Sequence, residues 1–250
     1  MYASVNGQQG LFLVDTGAAY TFIDTCFAKV LGLETRALGR WQVRSNVSGK
    51  LKVAGVETLT VGNDIFDKFD VLVIDLMHMT KAVGRQIDGI IGLNVLSIAG
   101  CQIDPQQGRL LLHSSRSVDH PVPIVLEDRA MFINAQIDGR TIRMKVDTGS
   151  NHTTLSSAEW SRLVTSGVVT TNVRGAFDVN GYTTNKMVRE LRCTCAVGNV
   201  IRRDFPVEED DAGNLLGMDF LRHYIVTFDI KAGKAYFEDV AQSVPEVMIR

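Results

Sequence analysis

The sequence predicts a mainly β protein assembled from two copies of one unit joined in tandem. Three observations carry that reading: strand-like alternation of apolar and polar residues, scarce helical periodicity, and landmarks that recur in order along the chain. Val5-Asn6-Gly7, followed by Leu13-Val14-Asp15-Thr16-Gly17, is echoed by Ile137-Asp138-Gly139, followed by Lys145-Val146-Asp147-Thr148-Gly149. Both echoes lie at an offset of 132 residues. Ile90-Ile91-Gly92-Leu93-Asn94-Val95-Leu96 returns as Leu215-Leu216-Gly217-Met218-Asp219-Phe220-Leu221. Gln102-Ile103-Asp104 with Gly108 returns as Thr227-Phe228-Asp229 with Gly233. Each copy therefore spans roughly 110 to 130 residues.

Taken in order, the first copy opens with a strand ending at the Asn6-Gly7 turn. Val53 to Val61 and Lys68 to Ile74 read as further strands, and Thr25 to Leu31 allows two helical turns. The polar stretch from His113 to Pro121 ends in a proline and reads as the connection between copies. The expected division is a domain over residues 1–113, a linker over 114–121 and a second domain over 122–250. That second domain starts with an extra strand, Val122 to Leu126, which the first lacks. The asymmetry suggests that a segment upstream of Met1 has been trimmed. Met131 to Ile137 and Thr141 to Val146 alternate about Asp138-Gly139, a hairpin signature. Ser156-Ser157-Ala158-Glu159 is a capping-box pattern that opens a short helix to Val164.

Composition narrows the function. The 26 Lys and Arg against 28 Asp and Glu give a net charge of −2, well mixed along the chain. That balance argues against nucleic-acid partners and against a polybasic membrane binder. The longest charge-free apolar run, Gly89 to Ile103, is about 15 residues and too rich in glycine to span a bilayer. No signal peptide is visible, and both a periplasmic or secreted and a cytoplasmic location fit the chain. Four cysteines make no disulfide framework, and Cys193 and Cys195 read as buried small residues on one strand face. Five dispersed histidines offer no metal-ligand spacing, and the nucleotide and serine-hydrolase motifs are missing, so neither metal nor cofactor is expected.

Each copy places one Asp-Thr-Gly directly after an apolar strand, in Phe12-Leu13-Val14-Asp15-Thr16-Gly17-Ala18 and in Met144-Lys145-Val146-Asp147-Thr148-Gly149-Ser150. With Ile90-Ile91-Gly92 and Leu215-Leu216-Gly217, these residues resemble the aspartic peptidases, in particular the retropepsin-like branch. One such motif is weak; two, each followed by the apolar-apolar-Gly element, are strong. The chemistry suits the residue types. Hydrolysing an amide without a metal or covalent intermediate requires a water between a base and an acid, and two adjacent carboxyls share one proton to supply both.

The resemblance implies two retropepsin-like β-barrel domains forming an intramolecular pseudo-dimer, an endopeptidase active as a monomer on a polypeptide substrate. It implies Asp15 and Asp147 as the catalytic pair. Thr16, Gly17, Ala18, Thr148, Gly149 and Ser150 would support their loops, with the two threonines interlocking. Two flaps would close over substrate, tipped by Val47, Ser48 and Gly49 and by Asn180, Gly181 and Tyr182. The Ser150 hydroxyl, absent at Ala18, is expected to donate to Asp147 and so leave the shared proton on Asp15. The alternatives are an inactive peptide-binding module that uses the same cleft and a scaffold of paired domains. Compared with pepsin, the copies are half as long and lack matching cysteine pairs.

Overall fold

The computed structural model describes residues 1–38, 51–114, 119–164, 169–177 and 183–239. The first copy runs β1 (Tyr2–Val5), β2 (Gln8–Val14), β3 (Phe22–Asp24), α1 (Thr25–Val30), β4 (Arg36–Ala37), β5 (Lys52–Val61) and β6 (Asp64–Ile74). It continues with α2 (Met77–Val83), β7 (Gly89–Ile91), α3 (Leu93–Ala99), β8 (Cys101–Asp104) and β9 (Arg109–Leu112). The second runs β10 (Val122–Glu127), β11 (Ala130–Ile137), β12 (Arg140–Val146), β13 (Thr154–Leu155), α4 (Ser157–Leu163), β14 (Val169–Phe177) and β15 (Thr183–Val197). It ends with β16 (Val200–Glu209), β17 (Leu215–Leu216), α5 (Met218–Leu221), β18 (Tyr224–Asp229) and β19 (Lys234–Asp239).

Each copy closes its own barrel. In the first, the order β1-β2-β7-β3-β6-β5 returns to β1 where Ala3 to Val5 pair with Val61 to Leu59. In the second, β11-β12-β17-β13-β16-β15 returns to β11 through Gln136 with Ala196 and Ile137 with Cys195. The two circuits match strand for strand. Their opening hairpins turn on Asn6-Gly7 and Asp138-Gly139, where all four residues have positive φ, from 45° to 80°. That geometry suits the twist of two antiparallel strands and favours this residue chemistry.

A third layer joins the copies. Its order is β10-β19-β18-β8-β9, so the last hairpin of the first copy extends the edge of three strands from the second. Gln102 faces Thr227 across the β8–β18 boundary, and its amide donates to the threonine hydroxyl at 2.9 Å in a buried position. These two residues occupy the same place in the repeat. The local pseudo-twofold axis passes between them.

Two helices follow the sequence reading closely, and Ser156 caps α4 by accepting from the Glu159 N–H at 3.4 Å. Three short ones, α2, α3 and α5, have no sequence signal. None of the three has a capping side chain, and packing rather than propensity stabilises helices this short. The four cysteines are free, and Cys193 and Cys195 are both buried in β15 despite a bulge between them. No described helix is long and apolar enough to cross a membrane.

Phe220 in α5 ties the second barrel to the shared layer. It is fully buried and meets Phe205, Tyr224 and Phe237 at ring-centroid distances of 5.6, 5.4 and 6.5 Å. Phe220→Ala should cost about 3–5 kcal/mol, read as a lower urea midpoint with an unchanged slope.

Candidate active site

The two Asp-Thr-Gly loops leave their barrels at matched points. β2 runs parallel to β7, with Leu13 beside Ile90 and Val14 beside Ile91, and the Asp15 N–H donates to the Ile91 carbonyl at 3.0 Å. β12 runs parallel to β17 in the same way, and the Asp147 N–H donates to the Leu216 carbonyl at 3.0 Å. The apolar-apolar-Gly strands thus fix where each aspartate stands. Beyond them, the Leu93 N–H reaches the Ala18 carbonyl at 2.7 Å and the Met218 N–H reaches the Ser150 carbonyl at 2.8 Å.

Within each loop the carboxylate folds back on its own backbone. Asp15 Oδ1 accepts from the N–H groups of Gly17 at 2.8 Å and Ala18 at 3.1 Å. Asp147 Oδ1 accepts from Gly149 and Ser150, both at 3.0 Å. The loops meet face to face. A Cβ placed on Gly17 would stand 2.3 Å from Asp147 Cγ, and one on Gly149 would stand 2.5 Å from Asp15 Cγ. Only residues without a Cβ allow the opposing carboxyls to come this close.

Thr16 and Thr148 lock that approach. The Thr16 hydroxyl donates to the Val146 carbonyl at 2.9 Å and accepts from the Thr148 N–H at 3.1 Å. The Thr148 hydroxyl donates to the Val14 carbonyl at 2.8 Å and accepts from the Thr16 N–H at 3.0 Å.

Beneath the loops lies a pair of supports that the sequence reading did not single out. Thr21 Oγ1 donates to Asn94 Oδ1 at 2.9 Å and accepts from the Gly92 N–H at 3.2 Å. In the second copy Thr153 Oγ1 donates to Asp219 Oδ1 at 2.6 Å and accepts from the Gly217 N–H at 3.1 Å. The signal was present, since Thr21 and Thr153 obey the repeat offset and Asn94 and Asp219 fall inside the echoed heptads. Burial raises the Asp219 pKa, against the opposing pull of its hydrogen bonds from Thr153 and Phe220.

The surroundings of Asp15 favour its protonated form. Its pKa rises from the ordinary 3.8 to about 7, first through burial and then through the negative charge of Asp147. The Gly17 and Ala18 N–H groups and the Lys145 ammonium pull the other way. The Ser150 hydroxyl takes no part, contrary to expectation. It donates to the His152 carbonyl at 2.8 Å and accepts from the His152 N–H at 3.3 Å. Short hydroxyl side chains favour such local backbone partners, and Ser150 reaches Asp147 through its own N–H instead.

The flap-tip residues Val47, Ser48, Gly49, Asn180, Gly181 and Tyr182 lie outside the described residues. The hairpin leading to the second set is described, with β14 and β15 paired as far as Phe177 and Thr183. A cavity of about 410 Å³ between β16 and α5, lined by Arg202, Arg203, Arg222 and His223 among others, includes no residue of either Asp-Thr-Gly loop. Among the described residues no group of three or more His, Cys, Asp or Glu is placed to hold a metal ion.

Comparison with known protein families gives one match in each half of the chain. Residues 1–95 match the aspartyl protease family, and residues 133–223 match the gag-polyprotein aspartyl protease family. No curated protein matches the chain.

The raised Asp15 pKa has a signed consequence for stability. The folded state keeps a proton that the unfolded chain releases near 3.8, so the benefit is complete below that pH and is lost as pH rises through about 7. Asp15→Asn should therefore melt above the native chain at about pH 8 and together with it below about pH 4 in thermal scans. A difference independent of pH would contradict the origin given for the shift.

Proposed function

We propose, from the premise that this chain belongs in both halves to the retropepsin-like aspartyl protease family, that it is an aspartic endopeptidase with one catalytic aspartate from each domain. The domains are assigned to residues 1–113 and 122–250, joined by 114–121. The observation that carries the reading is the mutual approach of Asp15 and Asp147, each facing the other loop's glycine across the threonine lattice.

In the proposed reaction, a water between the two carboxyls attacks the scissile carbonyl. Ionised Asp147 takes a proton from that water while protonated Asp15 donates a hydrogen bond to the carbonyl oxygen. The tetrahedral intermediate then collapses: its C–N bond breaks, the amine leaves with a proton taken from Asp147, and the new acid and amine separate. One shared proton remains on the pair at the end. The raised affinity of Asp15 for a proton supports its role as the acid at neutral pH. The loop N–H groups hold each carboxylate in place without consuming both of its oxygens.

Either Asp15→Asn or Asp147→Asn should lower turnover of a mixed peptide library by about a thousandfold or more, since acid and base are both required. Retention of native turnover by either variant would place the chemistry at another site, and absence of turnover in the native chain would favour the peptide-binding module without hydrolysis. In the native chain the basic limb of the pH–rate profile should fall as pH rises through about 7, where Asp15 loses its proton.

Because one chain supplies both aspartates, we also propose a monomeric active species. Light scattering at assay concentration should give a mass near 27.5 kDa. Activity confined to a species of twice that mass would place the dyad between chains.

A further inference from the structure

The strands that deliver the two aspartates deliver a second pair of side chains beside them. Side chains alternate across a strand, so the residue two before each aspartate shares its face. That residue is Leu13 in β2 and Lys145 in β12, equivalent positions of the repeat. Both keep partial exposure, whereas Phe12, Met144 and Val146 are buried.

Lys145 turns toward the dyad. Its Nζ donates to the Gly17 carbonyl at 2.6 Å, and Gly17 is the residue packed against the Asp147 carboxyl. An ammonium has three N–H donors. Among the described residues, the Gly17 carbonyl is its one hydrogen-bond partner and it has no ion pair. Asp15 feels its charge without pairing with it.

The surroundings of Leu13 and Lys145 differ in the same sense. Leu11, Leu13, Ala18 and Phe22 pack against buried Leu76, Ile87 and Ile90 in the first copy. At the repeat offset those four are replaced by Arg143, Lys145, Ser150 and Thr154. Arg143 is engaged already, paired with Glu127 and lying over the Phe132 ring. Lys145 is thus the cation of this layer that remains for a ligand. The dyad is flanked by an apolar surface on one side and by an ammonium on the other.

We propose that Lys145 is a specificity-determining residue that pairs with a carboxylate of the substrate, an Asp or Glu side chain next to the scissile bond. Leu13 and its neighbours take an apolar side chain on the opposite side of that bond. The proposal rests on the peptidase reading above, and its test separates the two.

Matched peptides carrying Glu, Gln or Lys at each position flanking a cleaved bond provide the measurement. At one flank the native chain should prefer Glu over Gln by about tenfold in kcat/KM, as expected for one charge-assisted hydrogen bond, and should disfavour Lys. Lys145→Arg should retain that ratio, Lys145→Leu should erase it, and Lys145→Glu should invert it toward Lys. Each comparison is a ratio within one variant, so changes in overall activity cancel, and circular dichroism confirms the fold. The same ratios should appear in the affinities of reduced-amide peptides, which cannot be hydrolysed. Selective binding of the acidic analogue without any turnover would overturn the peptidase reading and leave Lys145 as the selecting group. Turnover with equal use of Glu, Gln and Lys, or an acidic preference that survives Lys145→Glu, would overturn the role of Lys145.

Discussion

Two threonine hydroxyls fix the distance between the halves of this molecule. A hydroxyl offers one donor and two acceptor positions. Thr16 and Thr148 use theirs reciprocally, each donating to the carbonyl just before the other's aspartate and accepting the other's backbone N–H. These bonds are directional and are made to backbone, so they set the aspartates' spacing independently of the side chains around them. Two carboxyls at this separation repel when both are ionised. The lattice holds them together, and burial, with the neighbouring Asp147 charge adding to it, raises the proton affinity of Asp15.

The remaining structure serves that contact. Each barrel presents its loop from a parallel strand pair, and the layer β10-β19-β18-β8-β9 keeps the two barrels from sliding past one another. Gln102 and Thr227 mark the same axis on the shared layer. The Asp-Thr-Gly loops and this buried pair both join equivalent positions of the repeat.

Much of this was legible in the sequence because it is written locally. The hairpin at Asp138-Gly139 needs two residues tolerant of positive φ, and the aspartates stand where an apolar alternation breaks at Thr-Gly. The barrels were implied by the family resemblance, but the pairings that close them were not legible. Val5 must find Leu59 and Ile137 must find Cys195, pairings that no local pattern encodes. The partner of the Ser150 hydroxyl is not legible because the choice lies between a carboxylate and the nearby His152 backbone, a matter of loop geometry. The reach of Lys145 is not legible in the motif that contains it, since its partner Gly17 lies across the domain interface. The Asn94 and Asp219 supports were inside an echoed segment whose glycines drew the comparison instead.

The lattice also joins residues 132 positions apart, a separation with a kinetic meaning. At ordinary synthesis rates the first loop waits on the order of ten seconds before its counterpart has even been polymerised. The layer that steadies both loops is completed later still, by β18 and β19, the last described strands of the chain. Long-range pairing of this kind forms slowly, because the closure entropy must be met before the contacts return anything. Chain synthesis is therefore a timer. Until the second loop has been synthesised and folded, Asp15 stands in the first barrel with no second carboxyl to share its proton.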